Sequence, residues 1–275
     1  MGRLDGKVAF ITGAARGQGR SHAVRLAQEG ADIIAADICS SVDTVPYPTA
    51  SSEDLAETVR LVEAEDRRIF SGQADVRNFE ALKGVLDAGV AEFGRLDIVL
   101  ANAGILSFAP AHEMPEEMWA AMIDINLTGV WHTTKAATPH LLERGGGSII
   151  ITSSGAGLRG AAYLPHYCAA KHGVVGLMRS LAIELAPQMI RVNTVHPTNV
   201  DTDMIMNEAV FTAFRPDLEN PGREDFVEPM TAMNAMPLPW VEPIDISNAI
   251  VFLASDEARY VSGITFPVDL GMSAK

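Results

Sequence analysis

The chain has 275 residues, and 48% of them are hydrophobic, which is enough for one large domain with a deep core. Its 21 basic and 35 acidic residues give a net charge of −14, which argues against nucleic acid or an anionic membrane as the main partner. The only two cysteines, Cys39 and Cys168, form no zinc-ligand pattern, so we expect neither a disulfide scaffold nor a metal site.

The N-terminal sequence shows no basic-then-apolar signal pattern, and position 6 is Gly6 where N-myristoylation would require Ser or Thr. No apolar stretch approaches the roughly 18 residues of a membrane span. We therefore expect a cytoplasmic protein without a membrane partner.

Short β-branched runs alternate with longer segments of helical periodicity, which is typical of repeated strand-helix units. The predicted strands are Val8–Thr12, Asp32–Ala36, Ile69–Ala74, Ile98–Ala101, Ser148–Thr152, Ile190–Val195 and Ile264–Val268. Helices are predicted at about 17–29, 54–66, 79–93, 116–142, 166–186 and 245–254. Right-handed crossovers between seven such strands predict a single α/β domain over residues 1–275, a Rossmann fold whose doubly wound, seven-stranded parallel sheet carries helices on both faces.

Two segments interrupt this alternation. Residues 39–52 are rich in Ser, Thr and Pro, and we interpret them as an inserted loop. Residues 203–241 contain short helical pieces broken by prolines, and we interpret them as a lid; its prolines are Pro216, Pro221, Pro229, Pro237 and Pro239. The lid also contains several methionines, which suit either an adaptable apolar pocket or ordinary packing under a long loop.

A glycine-rich turn, TGAARGQG, follows the first strand and leads into the first helix. Gly13, Gly17 and Gly19 allow a tight turn and let the backbone approach a pyrophosphate without an intervening Cβ. The amide groups at the start of the helix then face the anion. The position of this turn, between a strand and a helix, favours a dinucleotide site over a simple connection.

Two charged residues beside this turn bear on the choice of nucleotide. Asp37 stands at the end of the second strand, where its carboxylate can accept hydrogen bonds from the ribose hydroxyls of NAD and would repel the 2′-phosphate of NADP. Arg16 favours the opposite choice, since a guanidinium can pair with a 2′-phosphate or can point to solvent. We expect NAD, because the carboxylate would offset much of the gain from the guanidinium.

Tyr167 and Lys171 lie four residues apart in YCAAK, so they share one face of a predicted helix. A free tyrosine titrates near pH 10, and taking a proton at neutral pH needs a shift of about 3 units. The Lys171 ammonium can supply part of this shift by stabilising the phenolate. Ser154, after the fifth strand, can hydrogen-bond a substrate oxygen, and Asn126 can hold Lys171 in place, directly or through water.

Further motifs accompany these residues, namely Asp75–Val76, ANAG at Ala101–Gly104, NLTG at Asn126–Gly129 and the serine pair Ser153–Ser154. Together with TGAARGQG and YCAAK they resemble the classical short-chain dehydrogenase/reductase family across nearly the whole chain. The resemblance implies a catalytic tetrad of Asn126, Ser154, Tyr167 and Lys171. The candidate cofactor-binding residues are Gly13, Arg16, Gly17, Gln18, Gly19, Asp37, Asp75, Val76, Asn102, Ala103, Gly104, Tyr167, Lys171, Pro197, Thr198, Val200 and Thr202.

Two positions depart from the family pattern. ANAG replaces the commoner NNAG, a mild change because Asn102 is retained. Thr198 stands where many members have Gly, which is expected to alter the backbone near the nicotinamide amide while leaving Thr202 to bind it.

A narrower resemblance, to the mycofactocin-associated, carveol dehydrogenase-like branch, is carried by TGAARGQGRSHA, by VDTVPYP in the inserted loop and by VHPTNVDTDM. It implies tightly retained NAD whose electrons pass to a mycofactocin-type redox carrier. The physical counterpart would be an inserted loop folded over the adenosine half of the cofactor, although the same composition suits a floppy surface loop.

We therefore predict an NAD-dependent alcohol dehydrogenase/reductase that interconverts a hydrophobic secondary alcohol, terpenoid or carveol-like, and its ketone by hydride transfer. The expected substrate walls are Ile105–Ala109, Gly155–Tyr163 and the lid. One alternative is a freely exchanging, NAD(P)H-dependent ketoacyl or steroid reductase, and another is a non-catalytic, cofactor-sensing binding protein. The family resemblance also implies a homotetramer that associates through the two helices predicted at 116–142 and 166–186.

Overall fold

A seven-stranded sheet in which every neighbouring pair is parallel runs through the centre of the molecule, in a computed structural model that describes residues 2–275. The strands are β1 (Val8–Thr12), β2 (Asp32–Asp37), β3 (Ile69–Gln73), β4 (Ile98–Ala101), β5 (Gly147–Thr152), β6 (Ile190–Pro197) and β7 (Thr265–Val268). Their order is β3-β2-β1-β4-β5-β6-β7. The predicted doubly wound Rossmann fold is confirmed, and each predicted strand lies within two residues of its observed bounds.

Both faces of this sheet are buried, which explains why its strands are continuous apolar runs. In β1, Val8 and Phe10 pack into one core cluster, whereas Ala9 and Ile11 pack into a second cluster on the opposite face. This alternation follows from the two-residue period of a strand.

Nine helices of the described chain surround the sheet or form the lid. They are α1 (Gly17–Gln28), α2 (Ser52–Glu63), α3 (Phe79–Phe93), α4 (Glu116–Ile123), α5 (Gly129–Arg144), α6 (Pro165–Leu185), α7 (Glu208–Phe214), α8 (Arg223–Met233) and α9 (Pro243–Ala254). Buried residues of α1, α2 and α9 belong to one core cluster, and those of α3, α5 and α6 belong to the other. The two clusters are the two helical layers of a doubly wound fold.

The helix predicted at 116–142 is two helices, because a π-helical turn over Asp124–Thr128 separates α4 from α5. The wide turn inserts one residue and shifts the phase of the apolar stripe between the flanking helices, but the period within each helix is unchanged, so hydrophobic periodicity predicts one helix. Such turns occur frequently at functional sites, and this one contains Asn126.

The lid contains α7 and α8, and one predicted break is wrong. Pro229 lies inside α8 and does not interrupt it. A proline cannot donate to the carbonyl four residues earlier, which here belongs to Asp225. The guanidinium of Arg215 donates to that carbonyl oxygen at 3.2 Å, so the helix continues without a lost acceptor.

None of the helices in residues 2–275 combines the length and the apolar character that crossing a bilayer requires.

Candidate active site

A cavity of about 1030 Å³ lies beyond the carboxyl ends of the central strands. Its lining comes from the segments that follow β1, β2, β4, β5 and β6, together with the inserted loop and the lid. The strand order reverses between β1 and β4, and open α/β sheets bind ligands at such a switch point.

The glycine turn lines one end of this cavity. Gly13 has φ +68°, and a Cβ there would lie 2.8 Å from the Cα of Ala103, so both conformation and space require glycine. A Cβ on Gly19 would lie 1.9 Å from the oxygen of Gly13, so the start of α1 closes tightly on the turn. Gln18 lines the cavity with a buried side-chain oxygen that has no hydrogen-bond partner among the described residues.

Asp37 ends β2 at the cavity wall and is only 7% exposed. Its Oδ2 accepts from the amide of Ala15 at 2.9 Å, and its Oδ1 accepts from the amide of Cys39 at 3.2 Å. Each carboxylate oxygen retains a further lone pair, because an ionised carboxylate offers about four acceptor sites in all. The Asp37 carboxylate is thus held in place and can accept hydrogen bonds from additional hydroxyl groups.

Arg16 is engaged within the protein. Its guanidinium donates to the main-chain oxygen of Pro48 at 2.5 Å and pairs with Asp203 at 3.2 Å. It thus connects the inserted loop with the first residue of the lid. A guanidinium held by these two oxygens is poorly placed to pair with a 2′-phosphate, which removes the one sequence argument for NADP.

The inserted loop crosses the cavity. Val42, Tyr47 and Ala50 are buried and line it. The hydroxyl oxygen of Tyr47 accepts from the amide of Leu106 at 3.0 Å, so the loop reaches the segment that follows β4. Tyr47 also packs in the apolar cluster formed mainly by the lid.

Tyr167 and Lys171 lie one turn apart at the start of α6, which begins with Pro165 at its first position. The Lys171 Nζ lies 5.6 Å from the centre of the Tyr167 ring and donates to the main-chain oxygen of Thr152 at 2.8 Å. The predicted juxtaposition of phenol and ammonium is therefore present, and both residues line the cavity.

The acidity expected of the phenol does not come from the chain alone. Burial raises the pKa of Tyr167 to about 12, and the nearby Ser154 hydroxyl offsets only part of that rise. Burial also lowers the pKa of Lys171 to about 8, because the ammonium is only 3% exposed. Removing both groups from water disfavours both charged forms.

Ser154 follows β5 in an extended conformation and begins the short turn Gly155–Gly157. Its hydroxyl oxygen accepts from the amide of Ala156 at 3.1 Å, which leaves the hydroxyl proton to donate to the neighbouring Tyr167 oxygen or to a substrate oxygen that binds there. Its main-chain oxygen accepts from His196 at 2.8 Å. His196 was not predicted as a site residue, because a histidine before a proline carries no sequence signal of a buried contact.

Asn126 is fully buried in the π-helical turn, and it is the one candidate site residue outside the cavity lining. Its side-chain amide brackets Ile105: Nδ2 donates to the Ile105 oxygen at 2.9 Å, and Oδ1 accepts from the Ile105 amide at 2.8 Å. Lys171 is not its direct partner, although a Cβ on Gly104 would lie within 4 Å of both side chains. Asn126 therefore fixes the loop after β4.

Every other residue that the sequence analysis placed in the catalytic or cofactor site lines the cavity. The lining also contains residues that the sequence analysis did not assign to the site, among them Ile38, Val42, Tyr47, Ala50, Ile125 and Met272. Val42 and Tyr47 lie in VDTVPYP of the inserted loop, which was expected to cover the cofactor as a whole. Ile38, Ile125 and Met272 belong to no motif, and only the folding of the chain brings them to the cavity. Within residues 2–275, no group of three or more His, Cys, Asp or Glu side chains is arranged to hold a metal ion.

The sequence profile of the short chain dehydrogenase family matches residues 7–211, and the chain belongs to this family. A (−)-trans-carveol dehydrogenase of Rhodococcus erythropolis is 56% identical over 278 residues, which cover 100% of both chains. The crystal structure of carveol dehydrogenase from Mycobacterium avium in complex with NAD is 59% identical, with a TM-score of 0.99 over 100% of both chains. The short chain dehydrogenase from Mycobacterium paratuberculosis bound to NAD is 46% identical, with a TM-score of 0.91 and the same coverage. The predicted family and its oxidoreductase chemistry are confirmed.

Proposed function

We propose that this chain oxidises a hydrophobic secondary alcohol, of the terpenoid or carveol-like class, to its ketone. The observation that carries the proposal is the convergence of Ser154, Tyr167 and Lys171 on one cavity whose remaining walls are largely apolar. Apolar residues from the loop after β4 and from the lid form those walls; they include Leu106, Phe108, Met204, Phe214 and Met233. The relatives named for carveol support the same substrate class.

The predicted cofactor, NAD, is confirmed by the NAD complexes of the two solved relatives. The residues present fit this dinucleotide: a tight glycine turn, an orphaned buried oxygen on Gln18, and the Asp37 carboxylate with unused lone pairs. When bound, NAD supplies the hydride acceptor and, as the oxidised form, a positive charge in the site.

In this proposal Tyr167 takes the proton of the substrate hydroxyl, and Ser154 donates a hydrogen bond to the same substrate oxygen. Lys171 stabilises the resulting phenolate as an ammonium held against the oxygen of Thr152. Asn126 keeps the segment after β4 in position through its paired hydrogen bonds with Ile105. Burial by itself raises the pKa of the Tyr167 phenol. A positive charge beside the phenol is therefore needed before it can act as a base near neutral pH.

We further propose that NAD is retained through many turnovers and is reoxidised in place by an external redox carrier of the mycofactocin type. The support is the inserted loop, which is attached on both sides of the cavity by the Arg16 contact with Pro48 and by the Tyr47 contact with Leu106.

A homotetramer that associates through α4, α5 and α6, and a cytoplasmic location, stay predictions. Exposed apolar side chains such as Trp131 on α5 and Ile183 on α6 are compatible with such association.

One experiment tests the activity and the retention together. The purified protein is assayed on apolar secondary alcohols, first with added NAD and then with an artificial electron acceptor. In parallel it is unfolded, and the released nucleotide is counted per chain. Turnover that requires the acceptor, with about one NAD released per chain, supports the proposal. Turnover with added NAD(P)H on ketones, and no released nucleotide, would favour a freely exchanging ketoacyl or steroid reductase. Bound NAD without turnover on any alcohol would favour a cofactor-sensing protein.

A further inference from the structure

Arg159 is a cation in the part of the cavity where the substrate would lie. It follows the turn Gly155–Gly157, and its amide donates to the oxygen of Gly155 at 3.2 Å. It lies between Ser154 and Tyr167 in the sequence and lines the cavity with both of them. The main chain of Arg159 is therefore held by the same short turn that Ser154 begins.

The guanidinium of Arg159 has few partners within the protein. It donates from Nη1 to the main-chain oxygen of Met272 at 3.3 Å, and this is its only hydrogen bond among residues 2–275. It forms no ion pair within the same residues. Since a guanidinium has five N–H groups in a rigid fork, four of them remain available.

The other charged residues of the lining are accounted for. Arg16 pairs with Asp203, and Asp75 pairs with Arg77. Lys171 donates to a main-chain oxygen, and Asp37 accepts from two main-chain amides at the end where the cofactor binds. Arg159 and Lys171 are thus the two lining cations without a carboxylate partner, and Lys171 is already assigned to stabilising Tyr167.

The surroundings increase the effect of this charge. Phe108, Leu164, Phe214 and Met272 line the same cavity, and apolar walls weaken the screening of a charge. The chain as a whole carries a net charge of −14, which would repel an anionic molecule elsewhere on the surface. The partly buried guanidinium of Arg159 instead attracts an anion at this place in the cavity.

We propose that Arg159 binds a carboxylate of the substrate, so that the substrate class is a hydrophobic secondary alcohol that also carries a carboxylate. This inference rests on the proposed function, because it assumes that Ser154 and Tyr167 hold the carbinol oxygen of the same molecule. A planar carboxylate matches the two-pronged geometry of a guanidinium, whereas a hydroxyl does not.

The test compares matched substrates on matched variants. An apolar secondary alcohol is assayed beside the same alcohol carrying a carboxylate, and beside the methyl ester of that carboxylate. Arg159→Gln removes the charge and keeps a donor for Met272, Arg159→Lys keeps the charge, and Arg259→Gln removes a charge from an exposed residue outside the cavity. Binding of a non-reacting hydrophobic carboxylate to each variant is measured by titration calorimetry.

We expect KM for the carboxylate substrate, and Kd for the non-reacting carboxylate, to rise about 10- to 100-fold in Arg159→Gln. Arg159→Lys should recover part of that loss, and Arg259→Gln should behave as the unaltered protein. Constants for the neutral alcohol and the ester should change less than those for the carboxylate, and unfolding midpoints show that the variants fold. Equal use of the carboxylate substrate and its ester by the unaltered protein, with no effect of Arg159→Gln, would overturn the inference and leave the proposed function standing. Absence of turnover on all the alcohols, with carboxylate binding still dependent on Arg159, would overturn the proposed function and leave the binding site.

Discussion

The imidazole Nδ1 of His196 lies 2.8 Å from the main-chain oxygen of Ser154. A carbonyl oxygen only accepts, so Nδ1 carries the proton of the neutral ring and Nε2 accepts from the hydroxyl of Thr194 at 2.8 Å. Burial lowers the pKa of His196 to about 4, which keeps the ring neutral near pH 7. A completely buried imidazole with a fixed tautomer therefore holds the backbone of the residue proposed to bind the substrate oxygen.

Replacing His196 should impair turnover through Ser154. In His196→Leu the Ser154 carbonyl loses a donor, and we expect kcat to fall about 10- to 100-fold, with a smaller change in KM. His196→Asn offers a side-chain N–H at nearly the same position and should recover most of the rate. Steady-state kinetics measure kcat and KM of both variants. Their unfolding midpoints show whether they fold. Equal losses in the two variants would show that His196 contributes only to packing.

Tyr167→Phe should abolish most activity without releasing the cofactor. The ring that packs beside Lys171 remains, but the group that takes the proton is gone, so kcat should fall by about 10²- to 10⁴-fold. Tyr260→Phe makes the same change on a residue that is 84% exposed and should have no effect. The measurements are turnover of an alcohol substrate and NAD content per chain. Activity retained in Tyr167→Phe would remove the phenol from the mechanism.

The buried ammonium predicts how the stability of the nucleotide-free protein depends on pH. The pKa of Lys171 is about 8 in the folded chain and 10.5 as the ordinary value, so the unfolded chain binds more protons between these values. The free energy of unfolding should therefore rise as pH increases from about 8 to about 10.5, by up to about 3 kcal/mol from this group. Below pH 8 the contribution should be constant.

Denaturant unfolding at several pH values, compared between the unaltered protein and Lys171→Met, isolates this contribution. The difference in unfolding free energy between the two should change across that interval. Lys135→Met, on an exposed residue of α5, provides the control. Parallel stability curves for the unaltered protein and Lys171→Met would contradict the assigned burial effect.

Asp37→Asn should weaken the preference for NAD over NADP by about tenfold or more. The variant keeps one acceptor oxygen but removes the charge that repels a 2′-phosphate and strengthens hydrogen bonds to ribose hydroxyls. Affinities of the nucleotide-free protein for both nucleotides measure the change. Asp43→Asn removes an exposed charge from the inserted loop and should leave both affinities unaltered. A preference that persists in Asp37→Asn would assign nucleotide selection to another residue.

Tyr47→Phe should accelerate the release of NAD. The substitution leaves the buried amide of Leu106 without its acceptor and detaches the inserted loop from the segment after β4. The loss of one such bond, about 1 kcal/mol, predicts a dissociation rate several-fold higher. The rate is measured by trapping released NAD with an excess of a second NAD-binding protein, with Tyr260→Phe as the control. An unchanged dissociation rate would show that the contact of the inserted loop with Leu106 does not contribute to the retention of NAD.

Several features of this protein could be predicted from the sequence because they depend on local residue types and spacing. β1 was predicted with its observed bounds because a buried parallel strand is an uninterrupted apolar run. Tyr167 and Lys171 were paired from helical spacing alone, since residues four apart on a helix always share a face. Gly13 and Asp37 were assigned because a tight turn and a strand end need particular residue types.

Contacts between distant segments determined the rest, and a periodic pattern does not encode them. The π-helical turn brings Asn126 to Ile105, the inserted loop brings Tyr47 to Leu106, and His196 reaches Ser154 from a neighbouring strand. Packing also reversed the expected acidity of Tyr167, because burial of the phenol, which spacing along the chain does not encode, is the largest cause of its raised pKa. Spacing along the chain thus selected the reactive groups, while burial and long-range hydrogen bonds decided their protonation and their positions.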